Sequence, residues 1–183
     1  MNRILPLLLI SMLFGFYGYS QETEEIATPQ EQAPYSGKNE LKLNGMYLLI
    51  GFPELSYERI LNDESALGIS VNFSIDDIEI DFMAIPYYRI YFGKKPAAGF
   101  FVEGNAAFYV VSNEEYTYYN GHTYEVNTEN EIGAGVGLAV GSKFMTESGW
   151  VFEVFGGAGR NFLGSDHISD AYPRFGLTVG KRF

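Results

Sequence analysis

The sequence predicts an all-β protein: an eight-stranded antiparallel up-and-down β-barrel of the transmembrane kind. Three observations carry that expectation. The last twelve residues, Tyr172–Phe183, alternate as a strand does, with Phe175, Leu177, Val179 and Phe183 on one face and Arg174, Gly176, Thr178, Gly180 and Arg182 on the other. They finish on an aromatic, as expected where a last strand must pair with the first to leave no open edge. From about Leu41 onward, alternating segments follow one another, each about as long as a tilted strand that crosses a bilayer. The face opposite the apolar one is mostly Gly, Ser, Asn and Thr, which suits the crowded interior of a narrow barrel and would decorate a water-facing surface poorly.

Composition agrees. The chain has 183 residues, with 21 Gly, 15 Phe, 14 Tyr and one Trp, and no run reaches the ~18–20 apolar residues of a membrane helix. There is no cysteine, which excludes a lipid-anchored lipoprotein and a disulfide-stapled domain. Arg3 followed by the apolar stretch Ile4–Tyr17 and by Gly18-Tyr19-Ser20 reads as a signal peptide over residues 1–20, cut after Ser20. The alternative, a membrane anchor, would be short and would contain Pro6. Arg3 is the one charge that segment carries, so its removal takes the formal net charge from −11 to −12. That balance argues against nucleic acid and anionic membrane surfaces as partners. Residues 21–38 are polar, acidic and poor in large apolar side chains. They read as a disordered periplasmic tether, or less simply as a partner-binding segment. Residues 39–183 are the predicted barrel.

Strand one is expected over Glu40–Gly51, with Leu41, Leu43, Tyr47 and Leu49 outward and Lys42, Asn44, Met46 and Leu48 inward. A close turn near Phe52-Pro53 leads to strand two, Leu55–Leu61, and the cluster Asn62–Ser65 turns the chain again. Strand three, Ala66–Ile75, sets Leu67, Ile69, Val71 and Phe73 against Gly68, Ser70, Asn72 and Ser74. Strand four, Phe82–Phe92, contains Pro86, which cannot donate to a ladder, so a bulge or weak pairing is expected there. Strand five is Gly99–Val111. Asn120-Gly121 is the strongest short hairpin signal in the sequence, and strands five and six are expected to run on toward it as a projecting hairpin. Strand six, Glu131–Phe144, alternates Ile132, Ala134, Val136, Leu138 and Val140 with Gly133, Gly135, Gly137, Ala139 and Gly141. Strand seven is Trp150–Asn161. The turns at Asn62–Ser65, Gly93–Pro96 and Thr146–Gly149 are short, whereas the odd-numbered connections include both long loops, as outer-membrane barrels arrange them. The short first connection is the exception.

Five charges fall in mid-strand: Glu58, Arg89, Glu103, Glu153 and Arg174. Facing lipid near the midplane, a basic residue would cost about 2–4 kcal/mol, so they are expected to point inward and to pair. Such a set is either a plug of ion pairs or a path for protons or ions; an interior of about eight strands has room for side chains and little else.

The runs Leu55-Ser56-Tyr57-Glu58-Arg59, Pro86-Tyr87-Tyr88-Arg89-Ile90-Tyr91-Phe92 and Gly99-Phe100-Phe101-Val102-Glu103-Gly104 resemble a family of small outer-membrane β-barrel proteins of unknown function, eight-stranded and of the size of the OmpX and OmpA barrels. The resemblance covers about Leu41 to Phe183. It implies the fold and the outer membrane of a Gram-negative bacterium, and it assigns no chemistry. The last strand likewise resembles the C-terminal assembly signal of outer-membrane proteins, with Phe175, Leu177, Val179 and Phe183 in the matching places and Lys181 where an apolar residue is usual. Outer-membrane lipid, lipopolysaccharide and the barrel assembly machinery are the partners this implies, together with a possible surface or envelope protein.

For catalysis the sequence offers little. His122 and His167 both fall in predicted loops, and Ser165, Asp166 and His167 are neighbours in one loop, which seldom lets a triad form. Lipid-modifying enzymes among small barrels carry a His and a Ser on the outer barrel wall, and no strand here has such a His. Asp76, Asp77, Glu79 and Asp81 match no calcium-loop spacing and read as solvated acids. No cofactor is expected. Tyr116, Tyr118, Tyr119, His122 and Tyr124 form either a recognition surface or a marker of the membrane interface. The sequence therefore points to a barrel with a structural or surface-interaction role, with a narrow channel and a lipid A-modifying enzyme as the alternatives.

Overall fold

The computed structural model describes residues 37–75, 80–119, 123–163 and 169–183, and of residues 113–129 the main chain alone. The elements run β1 (Asn39–Asn44), α1 (Gly45–Leu49), β2 (Glu54–Asn62), β3 (Ser65–Phe73), β4 (Ile80–Phe92), β5 (Gly99–Tyr119), β6 (Thr123–Met145), β7 (Trp150–Leu163) and β8 (Ala171–Arg182). Each strand is antiparallel to the next and β8 returns to β1, giving a closed eight-stranded up-and-down barrel. The turns after β2, β4 and β6 share one end, the turn end. There Asn39 and Phe183 exchange backbone hydrogen bonds of 3.0 and 2.8 Å. α1 and the remaining connections lie at the opposite, loop end.

Strand one is shorter than the sequence predicts. It stops at Asn44, whose Oδ1 accepts from the Met46 N–H at 3.1 Å and caps one turn of helix. The helix carries Tyr47, expected to face outward, to a buried position where its ring stacks on Phe175 (5.0 Å) and meets Phe52 edge-on (6.1 Å). Met46, expected to face inward, is exposed. The connection from β1 to β2 thus spans residues 45–53, and the apparent exception among the loop lengths disappears.

This helix seals a gap in the barrel wall. β1 pairs with β8 from Leu43↔Val179 and Asn44↔Thr178 down to Glu40↔Arg182, so residues 171–177 have no strand beside them on that edge among the described residues. Two side chains take the place of the ladder: Asn44 Nδ2 donates to the Phe175 carbonyl at 3.1 Å and the Tyr47 hydroxyl to the Pro173 carbonyl at 3.3 Å. Phe183 bonds toward β1 and Arg182 toward β7, so odd-numbered residues of β8 present their backbone groups to the β1 edge. Pro173, which has no N–H, falls where no ladder bond is lost. Tyr47→Phe is expected to cost about 1 kcal/mol and Tyr47→Ala about 3 kcal/mol, read from urea unfolding of the refolded barrel.

Pro86 has the effect expected of it. The β4–β5 ladder is interrupted between Ala84↔Phe108 and Tyr87↔Asn105 and resumes in the same register, so the pairing is broken without a bulge. A register shift does occur at Ala134/Gly135 in the β6–β7 ladder. The extra residue is Phe162 of β7, so β6 keeps its alternation: Ala134 shares the outward face of Ile132 and Val136 as expected, and its small side chain is buried there between its pair partners Phe108 and Leu163.

Strand alternation sorts the rest. Leu67, Ile69, Phe82, Ile90, Phe108, Leu138, Val154 and Leu177 are exposed on the outer wall. Inside, an apolar cluster fills the loop end (Tyr47, Phe52, Met83, Ile85, Ala107, Tyr109, Val111, Tyr172). Two more fill the turn end: Ile60, Ala66, Tyr91, Ala97, Phe101 and Phe155, then Ala98, Met145 and Val151. Inward glycines make room for rings: a Cβ at Gly68 would collide with Tyr87, and one at Gly133 with Tyr109.

Candidate functional site

Between the apolar clusters lies a band of buried charge, with Glu40, Glu54, Glu58, Glu103 and Glu153 set against Lys42, Arg89, Lys143, Arg174 and Arg182, five of each sign. The inward parity of seven strands delivers them, and β3 adds Ser70, whose hydroxyl accepts from Arg174 Nη2 at 3.1 Å. The groups form one chain of contacts. Arg174 joins Glu54 (2.7 Å) and Glu103 (3.0 Å). Arg89 joins Glu103 (2.8 Å), Glu58 (3.0 Å) and Glu153 (3.0 Å). Lys42 reaches Glu58 (2.6 Å) and Glu153 (2.8 Å), and Lys143 reaches Glu58 (2.5 Å) and Glu40 (2.8 Å). Arg182 closes the series on Glu40 at 2.6 Å and donates to the carbonyls of Pro96 and Ala97 in the turn beneath.

Aromatic rings line the arginines. The Arg89 guanidinium lies 4.2 Å from the Phe101 ring centre and 4.5 Å from that of Tyr87, and Arg174 lies 4.8 Å from Phe155. The hydroxyls of Tyr87 and Tyr91 donate to the two oxygens of Glu58 at 3.1 and 2.7 Å. At the loop end Tyr172 donates to Asn105 Oδ1 at 2.7 Å, and Asn105 Nδ2 donates to Glu103 at 3.0 Å. The desolvation of so many charges is offset only because opposite charges and hydroxyls surround each of them.

Glu40, Glu58 and Glu153 bring carboxylate oxygens within 4.8 Å of one another, a spacing suited to a metal ion. The ammonium groups of Lys42 and Lys143 already sit among those oxygens, so the cation of this cluster is supplied by the chain itself.

All five mid-strand charges read from the sequence, Glu58, Arg89, Glu103, Glu153 and Arg174, lie in this band. Glu40, Glu54, Lys143 and Arg182 belong to it as well. They lie near strand ends, where a charge is unremarkable in sequence, and parity is the signal that finds them: Lys143 continues the face of Gly133 to Gly141, and Arg182 that of Arg174. Leu177, Val179 and Phe183 are exposed on the outer wall, whereas Phe175 is partly covered by Tyr47. Asp81 is exposed and accepts from the Ser112 hydroxyl. Tyr116 pairs in the backbone ladder with Val126, Tyr118 with Tyr124 and Tyr119 with Thr123. Asp76, Asp77, Glu79, Asn120, Gly121, His122, Ser165, Asp166 and His167 lie outside the described residues, as do the predicted signal peptide and nearly all of the predicted tether.

No protein-family model matches the sequence, and no curated protein matches it. Among solved structures the chain is similar to the N-terminal β-barrel domain of Pseudomonas aeruginosa OprF, at 17% identity and a TM-score of 0.46, over 80% of this chain and 96% of that one.

Proposed function

We propose that this chain is an integral outer-membrane barrel whose interior is sealed and whose work is done at its surface, in structural or docking contacts. The observation that carries this reading is the distribution of charge. The outer wall has an apolar band bounded by Arg59 and Lys181 toward the turn end and by Asp81 and Arg160 toward the loop end, all exposed. Along β7, nine residues from Trp150 to Ala158 carry no outward charge, about the 9–11 residues of a tilted strand that crosses a bilayer. Charge within the barrel is paired, and apolar clusters close it at both ends.

In this arrangement the predicted signal peptide exports the chain, the strand ending at Phe183 is read by the assembly machinery, and the termini and short turns face the periplasm. The paired carboxylates have their oxygens engaged by cations and hydroxyls, an arrangement that holds side chains in place more than it poises them for proton transfer. The test is conductance in planar bilayers. The purified protein is expected to give no single-channel steps at either polarity. Steady steps that disappear in an Arg89→Met or Glu58→Gln variant would replace the sealed barrel with a narrow ion path.

A further inference from the structure

The β5–β6 ladder does not stop where the barrel wall does. Val111↔Ile80 is the last pair tying β5 to β4, and Ala134↔Leu163 the last tying β6 to β7. Beyond them β5 and β6 pair only with each other, from Ser112↔Asn130 to Tyr119↔Thr123. At about 3.3 Å per residue, those eight pairs extend the ribbon by about 26 Å. Among the described residues no strand is laddered to its outer edges. A two-stranded ribbon is only marginally stable by itself, and an open edge is a template for another strand.

Edges that must stay unpaired are usually guarded by proline, lysine or a bulge. From Ser112 to Asn130 the sequence has no Pro, Lys or Arg, and the ladder there runs without a register shift. What the segment does contain is Glu114, Glu115, Glu125 and Glu129. A second copy of this chain laid along the edge would bring like charges opposite one another, which is unfavourable. A basic strand would find the complementary sign.

We propose that the outer edge of the β5–β6 ribbon is a strand-addition site, and that its occupant is an extended segment of a partner protein rich in lysine or arginine. Backbone hydrogen bonds would hold the segment and the glutamates would select its charge. This inference rests on the surface-contact reading above and adds the mode and the sign of the contact.

The test uses the full mature chain in detergent micelles and three labelled decapeptides. One alternates lysine with threonine, the second is the same peptide N-methylated at alternate residues, and the third has glutamate in place of lysine. The lysine peptide is expected to bind in fluorescence anisotropy and to slow amide exchange along one ribbon edge by tenfold or more. The N-methylated peptide, which keeps the charge but cannot complete the ladder, is expected to bind at least tenfold more weakly, and the glutamate peptide not to bind. A variant whose ribbon is shortened by replacing residues 114–128 with Asn-Gly should lose the binding while retaining the barrel. Equal binding of the lysine peptide and its N-methylated form would reduce the contact to charge alone and overturn strand addition. So would unchanged binding to the shortened variant, or no binding to the full chain. A chain that folds in water without detergent would instead remove the membrane reading, so the two failures are told apart.

Discussion

Arg89→Met is expected to lower the folding free energy by about 3–5 kcal/mol, the usual cost of breaking a buried ionic network from one side. Arg89 touches Glu58, Glu103 and Glu153, all buried, so its removal strips positive charge from three carboxylates at once. The measurement is urea-dependent unfolding of the refolded barrel, followed by the gel shift between folded and unfolded forms. A contrasting pair shows whether the network stabilises the fold or only specifies it. Arg174→Met leaves Glu54, among the described residues, with the hydroxyl of Ser56 at 3.4 Å as its remaining side-chain partner, whereas Glu103 keeps Arg89. Adding Glu54→Gln removes the stranded charge, and the double variant is expected to recover at least half of what the single one loses. Equal losses in the single and double variants would show that the arginine acts through its packing against Phe155 and Tyr87 rather than through its charge.

How far the sequence reveals this architecture differs by element. β6 and β8 were readable residue by residue, because a face of glycines set against a face of valine, leucine and phenylalanine admits one orientation in a narrow barrel. The inward direction of Glu58, Arg89, Glu103, Glu153 and Arg174 followed from the cost of a charge against lipid together with parity. α1 was hidden by the apolar run Met46 to Ile50, which imitates a buried strand; the cue was Asn44 before Gly45, a helix-capping residue where a strand gains nothing from one. The extent of the network was missed for a physical reason. Glu40, Glu54, Lys143 and Arg182 have inward parity but lie near strand ends, where even an outward charge costs little in lipid, so nothing singled them out. The bulge in β7 opposite Ala134 and Gly135 left no mark in the sequence, since β6 keeps its alternation past it. The length of the β5–β6 ribbon was legible only as an expectation, from polar residues that continue to alternate on both sides of Asn120-Gly121.

Leu138→Arg separates the membrane barrel from its water-soluble counterpart most sharply. Leu138 lies midway between Ile132 and Phe144, the two ends of the exposed apolar stripe of β6, pairs with Gly104 and Ala158 on its two sides, and is 67% exposed on the outer wall. On a soluble barrel, arginine at so open a site would be close to neutral, within about 0.5 kcal/mol. Against lipid near the midplane it should cost about 2–4 kcal/mol. Phe162→Arg is the control: Phe162 is 70% exposed but sits near the loop end, two residues beyond Arg160, where the cost in lipid falls to about 0–1 kcal/mol. Both variants remove a large apolar side chain and add the same charge, so the difference between them reports depth and little else. Refolding into vesicles of a single phosphatidylcholine chain length gives the two free energies. In detergent micelles, which deform around a charge, the gap should shrink. If the two variants lose the same stability in vesicles, the apolar wall does not face hydrocarbon, and the greasy band between Arg59 and Arg160 needs another occupant.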